Sequence, residues 1–399
     1  MTDSAHGPAV RVRLVPVRRG LRVEFEASAP HVRPVRFTLP DLGRIAAVRR
    51  ALDQGLTDVK RSITALAVAE AEVPVLAQAL GSMGRRMLFA LIGNRAELIR
   101  ELQLFWTSAV PAWRNPDHVA VVECLGDANH LLPLEYLPLF DMGACTDDVS
   151  GRVEFAEQCR SFVGFSCVVR RRVLPIRIPP GGHGLRMDAD GKLVLRYLHH
   201  DTLVGAAREY TWFTTDGSAT LALRGPHPQP GQRGTDLVER IYDPESDQVQ
   251  HFSCHCDTTA PDPFDYRLEL RGAGRDLELT LGDLGEHLVR LGATADRGAP
   301  AMPLIVLNAC GSSRIDPSTS ISFPQVFLEN GNRGCIGTEV AIPDEEAAEF
   351  SRVFYRELLD GADVGLAAHR ARSHLLHVFT NPIGLAYTVY GDTDLAITE

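Results

Sequence analysis

Gln248-Val249-Gln250-His251-Phe252-Ser253-Cys254-His255 and Leu304-Ile305-Val306-Leu307-Asn308-Ala309-Cys310-Gly311 are two apolar runs, each closing on a side chain able to do chemistry. Short runs of this kind predict buried strands. Strand and helix patterns alternate around them. Strands are expected at 192–198, 219–224, 248–254, 303–308 and 334–337, with helices near 205–214, 235–242, 282–291 and 324–330. That alternation predicts an α/β fold whose mostly parallel sheet is flanked by helices. In such a sheet the carboxyl ends of the strands form the crevice where ligands bind, so His255 and Cys310 are expected at one rim.

Further along, Asp344 followed by Glu345 and Glu346 supplies an N-cap and two acids for a helix with the apolar stripe Ala347, Phe350, Phe354 and Leu358. That helix is expected to stop at Gly361. Another runs from about Val364 to a stop before Asn381-Pro382, and 387–390 supplies a closing strand. Towards the amino terminus, 10–15 and 21–27 read as paired strands. Helices are expected from Asp41 towards Leu52 and around 71–80 and 95–106, with a buried strand at 119–124. Residues 174–186 hold two consecutive prolines, three glycines and little periodicity. They divide the chain into halves, 1–173 and 187–399, joined by a linker.

At 399 residues, with 45% hydrophobic and 23% charged content, the chain is long enough for two domains. A net charge of −10 argues against a direct nucleic-acid surface, and the basic cluster Arg170-Arg171-Arg172 reads as a solvated edge. No leader pattern and no apolar run of about eighteen residues is evident, so secretion and a membrane role are not expected. Eight cysteines are spread thinly along the chain, which favours a reducing compartment and a cytoplasmic location. Most of them should be small buried apolar residues.

Cys310 is the exception on context. A thiol is mostly protonated at neutral pH, and a neighbouring imidazole raises the thiolate fraction that attacks a carbonyl. The interval of 55 residues from His255 to Cys310 agrees with the roughly fifty that separates histidine from nucleophile in caspases. Zinc is the rival use of His251, Cys254, His255 and Cys256. Strand alternation opposes it, because Cys254 and Cys256 share one face and His255 takes the other. No second closely spaced pair completes a ligand set, so no metal and no organic cofactor is expected.

The chain resembles the CHAT family of caspase-like cysteine peptidases, in the clan of caspases and separases. The resemblance rests on the two strands above and on three further blocks. Leu132-Pro133-Leu134-Glu135 resembles the family's Leu-Pro-Trp-Glu, Gly205-Ala206-Ala207-Arg208-Glu209 its Gly-Ala-x-x-Glu helix, and Phe354-Tyr355 through Gly361 its Phe-Tyr-x-x-Leu-x-x-Gly segment. It implies a caspase-like catalytic half at 187–399 and a degenerate caspase-like half at 1–173. By resemblance His255 is the catalytic histidine and Cys310 the nucleophile, with the backbone N–H groups of Cys256 and Cys310 forming the oxyanion hole. Cys256 stands where the family carries glycine, which tolerates backbone angles that cysteine adopts only with strain.

The function so implied is a protein-cleaving cysteine endopeptidase of bacterial defence or regulated cell death. It would be switched on by a separate sensor protein and act on a partner such as a gasdermin-like pore former. The competing reading is a scaffold or interaction module that keeps the fold without activity. Three acids after the nucleophile, Asp316, Glu339 and Asp344, are candidates for a pocket that takes a basic side chain.

Overall fold

The computed structural model describes residues 7–18, 20–41, 43–126, 131–146, 148–173, 184–242, 247–294, 302–309, 312 and 322–398. Two compact units emerge. The first is Met1–Leu174 with His369–Ala386, and the second is Pro175–Ala368 with Tyr387–Glu399.

In the first unit β1 (Val10–Val17), β2 (Gly20–Ala27) and β3 (Val35–Leu39) form an antiparallel meander, and β1 continues into parallel pairing with a later strand. Val10, Val12 and Leu14 alternate inward, as a half-buried strand requires. Helices α1 (Gly43–Arg61), α2 (Val73–Ile92) and α3 (Ala96–Ala109) follow. β4 (Ala120–Gly126), α4 (Arg152–Cys159), α5 (Val163–Ser166) and β5 (Cys167–Val173) complete the unit's amino-terminal segment. β4 lies parallel between β1 and β5. Trp106 of α3 is fully buried edge-on to Phe25, Phe105 and Phe140. The helical stretch Glu70–Ile92 has the length and apolar composition of a membrane span, which the sequence reading had not expected anywhere. With 56% of its apolar window buried, and Leu76, Leu80, Met83 and Met87 almost wholly enclosed, it is accounted for as a core helix.

In the second unit, β6 (Gly184–Arg186) precedes β7 (Leu193–His199), α6 (Val204–Thr214), β8 (Leu221–His227), α7 (Gly234–Tyr242) and β9 (Val249–Asp257). A hairpin, β10 (Arg267–Gly272) and β11 (Arg275–Thr280), leads to α8 (Leu281–Thr294) and β12 (Met302–Ala309). Then come α9 (Phe323–Glu329), β13 (Asn332–Thr338) and α10 (Asp344–Leu359). α11 (Val364–Phe379) begins in this unit and belongs to the first from His369 on, and β14 (Tyr387–Gly391) and β15 (Ala396–Thr398) are again in the second. Strands β8, β7, β9, β12 and β13 lie side by side and parallel, and β14 is antiparallel to β13.

Hence the sheet is mostly parallel, and its order reverses between β7 and β9, the place where α/β folds open a crevice. Alternating side chains of β9 meet different helices. His251 faces α6 and α10, through Glu209 and Tyr355, while Gln250 reaches the Ile241 carbonyl of α7 and Phe252 packs near Phe327 of α9.

Four local expectations need correction. Arg170 and Arg171, expected at a solvated edge, are buried beside Glu123 and Glu135, whose carboxylates pair with them. The strand expected at 248–254 runs on to Asp257 because β10 pairs with its last three residues. The hairpin β10–β11 was not expected. Asp344 is the first residue of α10 and not its cap, a place taken by extended Pro343.

Candidate active site

β9 brings His255 to the carboxyl rim of the sheet. Its parallel neighbour β12 is in register through Ala309, which stands opposite Cys254. Cys310 and Asp316 lie outside the described residues, and Ala309 is the described residue that precedes Cys310. On the opposite edge of β9 the Ser253 carbonyl accepts from the His200 N–H at 2.9 Å. Backbone groups alternate edges along a strand, so the N–H of Cys256 faces the β12 edge.

Cys256 is extended, as a strand residue, and is not among the described non-glycine residues with positive φ, which are Cys145, Ala273 and Thr380. The strain that a cysteine in a glycine position suggests is absent there. The reason is the pairing of Cys256 with Leu268 of β10, which holds it in the ladder.

A solvent-open cleft lies beside these residues. Its walls are Ser253, Cys254 and His255 from β9, Asn308 and Ala309 from β12, Leu203, Gly205 and Ala206 at the start of α6, and Ile342, Asp344 and Ala347 at the start of α10. Asp344 is therefore one of the residues that line the cleft. Glu339, just after β13, is 2% exposed and is not part of that wall. Gly205 lets the two helix starts touch: a Cβ there would sit 2.3 Å from the Asp344 carbonyl oxygen.

Beneath the rim is a buried polar cluster that sequence reasoning did not assign. Glu209 of α6 accepts from Asn308 Nδ2 at 2.5 Å and lies 3.2 Å from His251 Nε2. His251 Nδ1 is 2.9 Å from the Tyr355 hydroxyl, and the Tyr387 hydroxyl donates to Asn308 Oδ1 at 2.6 Å. Asn308 also donates to the Ala347 carbonyl and the Ser351 hydroxyl. Burial by itself would raise the Glu209 carboxyl. The positive character of His251 and hydrogen bonds from His251, Ser351 and Ser253 outweigh it, and the group is held below its ordinary value. Glu209 thus grips β9 four residues before His255 and β12 two residues before Cys310. This buried acid has a signal in sequence, the Gly-Ala-x-x-Glu block, but that block alone does not reveal its partners.

The remaining thiols behave as core. Burial pushes Cys124 up to about 12 and raises Cys159, Cys167 and Cys335 as well, which leaves them poor nucleophiles. Cys256 is partly exposed. His251 is committed to Glu209 and Tyr355, and among the described residues no group of His, Cys, Asp and Glu is gathered as a metal site.

Residues 235–381 match the CHAT domain family. A probable protease of Vitiosangium sp. (strain GDMCC 1.1324) is 26% identical over 281 residues, covering 66% of this chain and 33% of that protein. The chain thus spans about a third of the length of this curated relative. Among solved structures, the separase–securin complex of Saccharomyces cerevisiae aligns over 98% of this chain and 30% of its own, with 10% identity and a TM-score of 0.45. The Arg-specific cysteine proteinase gingipain R aligns over 75% of this chain and 68% of its own, with 11% identity and a TM-score of 0.43. The matched residues begin at α7 and include His255, Ala309, Glu339 and Asp344, so the likeness to the CHAT domain family covers the stretch that holds the cleft.

Proposed function

We propose that the chain is a cysteine endopeptidase in which Cys310 is the nucleophile and His255 its base. The observation that carries this reading is the rim itself. His255, near the end of its strand, lines a cleft whose wall crosses to Ala309, the residue before Cys310, and the amide of Cys256 is directed to the β12 edge. The CHAT match and the probable protease relative support the same class.

The chemistry follows from the residue types. The Cys310 S–H proton passes to His255, and the thiolate adds to a backbone carbonyl carbon while the π electrons move to oxygen. The N–H groups of Cys256 and Cys310 hold that oxyanion. As the C–N bond breaks, the imidazolium returns its proton to the leaving amine, and an acyl thioester remains. Water, deprotonated by His255, then adds and releases the acid and the thiol. Asp344 on the cleft wall suits a basic side chain before the cut, with Asp316 as a further candidate, whereas buried Glu339 is left out of that pocket. By its CHAT character the enzyme acts in the cytoplasm of a bacterium in defence or regulated cell death. A separate sensor protein activates it, and it cleaves a protein partner such as a gasdermin-like pore former.

The test is cleavage of a diverse peptide library by the wild type, Cys310→Ala, His255→Ala and Asp344→Asn, with candidate activators present. The reading expects activity in the wild type, none in the first two variants, and a loss confined to basic peptides in the third. Equal cleavage by wild type and Cys310→Ala would remove it.

A further inference from the structure

His200 follows β7 and is tied to β9 through its own N–H, which donates to the Ser253 carbonyl at 2.9 Å. That bond places it beside the last turn of the strand that carries His255. Its Nδ1 lies 2.8 Å from the Thr202 hydroxyl, which fixes the ring from behind, and a bridge to Arg271 fixes the backbone from β10. The outcome is a contact between imidazoles: the ring centroids of His200 and His255 are 4.7 Å apart with the planes at 71°. This is the edge-to-face geometry that aromatic rings prefer. His200 was not singled out by its sequence context, and the CHAT match begins downstream of it.

The charged groups around this pair are largely occupied with one another. Arg271 of β10 reaches Asp201 next to His200 and Asp276 of β11. Arg267 reaches Asp257 of β9 and Glu269, the residue opposite His255 in the ladder. Asp344 approaches from α10 across the cleft. His200 is partly exposed. Burial, followed by the neighbouring His255, holds it below the ordinary histidine value, so it is neutral near pH 7.

We propose that His200 is the positioning residue of the dyad, its imidazole fixing the ring plane of His255 and offering a neutral aromatic partner to the imidazolium that forms when Cys310 gives up its proton. A neutral π-ring attracts a cation, whereas a protonated His200 would repel one. Acidification that charges His200 therefore discourages the thiolate–imidazolium pair. The proposal rests on the dyad reading above.

The experiment is alkylation of the full chain by iodoacetamide from about pH 5 to 9, with the modified cysteine identified by peptide mapping and Cys256 serving as the internal reference. Wild type, His200→Phe, His200→Ala, His200→Asn and His255→Ala are compared. His200→Phe keeps the aromatic face and is expected to stay within about twofold of wild type at neutral pH, with a shallower acid limb. His200→Ala and His200→Asn are expected to slow Cys310 by about tenfold or more while Cys256 and the melting temperature stay unchanged. His200→Asn keeps a polar partner for Thr202, so it supplies the answer if His200→Ala fails to fold. Cys310 profiles of His200→Ala or His200→Asn that overlay wild type, in a protein where His255→Ala slows Cys310, would overturn the inference alone. Identical Cys310 rates in wild type and His255→Ala would overturn the dyad and this inference together.

Discussion

At Cys256 the side chain and the backbone answer to different demands. The amide has to face the β12 edge, and the ladder with Leu268 enforces that without positive φ. A glycine would relax the strand and gain nothing in geometry. Cys256→Gly is therefore expected to lower stability by about 0.5–1 kcal/mol in thermal unfolding and to leave the rate of peptide cleavage within about twofold. A gain of tenfold or more would show instead that the cysteine side chain obstructs the site. His255 and its rim were legible in the sequence because a buried apolar run ending in a histidine is a local pattern. His200 was not, since its meaning lies in a contact with a strand about fifty residues away, and a histidine after a strand has no local signature.

At the scale of elements, α6 joins β9, which carries His255, to β12, which ends at Ala309. Glu209 is enclosed, ionised and shared between His251 of β9 and Asn308 of β12. Removing it takes from His251 the partner of its Nε2 and from Asn308 one buried acceptor of its Nδ2. Glu209→Ala is expected to cost about 3–5 kcal/mol and to lower the melting temperature by about 10 °C, read by calorimetry. Glu209→Gln keeps an acceptor for Asn308 and is expected to fall between. A melting temperature for Glu209→Ala equal to wild type would mean that the cluster does not hold the strands.

The parallel strands and their helices were readable because apolar runs and helical stripes alternate at regular intervals. The β10–β11 hairpin was overlooked although Leu268 and Leu270, then Leu277 and Leu279, alternate around Gly272-Ala273-Gly274. It is an insertion in the α/β rhythm, and expectation of the next helix masked it. The length of β9 depended on that same hairpin, which extends the ladder to Asp257.

For the molecule as a whole, the division after Leu174 falls at the start of the Pro- and Gly-rich segment, but the first unit also takes His369–Ala386 from far along the chain. No local pattern announces such a return. Its side chains enter the first unit's interior: Arg372 donates to the Gly164 carbonyl, Asn381 to that of Leu66, and the Ala386 carbonyl accepts from Tyr136. A fragment ending at residue 174 is therefore expected to lack a cooperative unfolding transition, and a peptide spanning 369–386 to restore one. A sharp transition of the fragment alone would count against this.

The same segment carries a pH dependence. Burial, with Arg372 and Arg160 close by, pushes His369 down to about 3. In the unfolded chain it titrates near 6.5. The unfolded state thus binds the extra proton between these values, so stability is full above about 6.5 and declines as pH falls towards 3. Urea unfolding is expected to show a loss of about 2 kcal/mol from this group between about pH 6.5 and 5, removed in His369→Gln. An unchanged slope in that variant would place the proton elsewhere.

The most direct test of the central claim is active-site labelling by an electrophilic peptide with a basic residue at the reactive end, followed by intact-mass and peptide analysis. The account predicts one adduct, on Cys310, formed in the wild type, abolished in Cys310→Ala and strongly slowed in His255→Ala. Labelling that falls on Cys256 with equal speed in all three proteins, and spares Cys310, would contradict it.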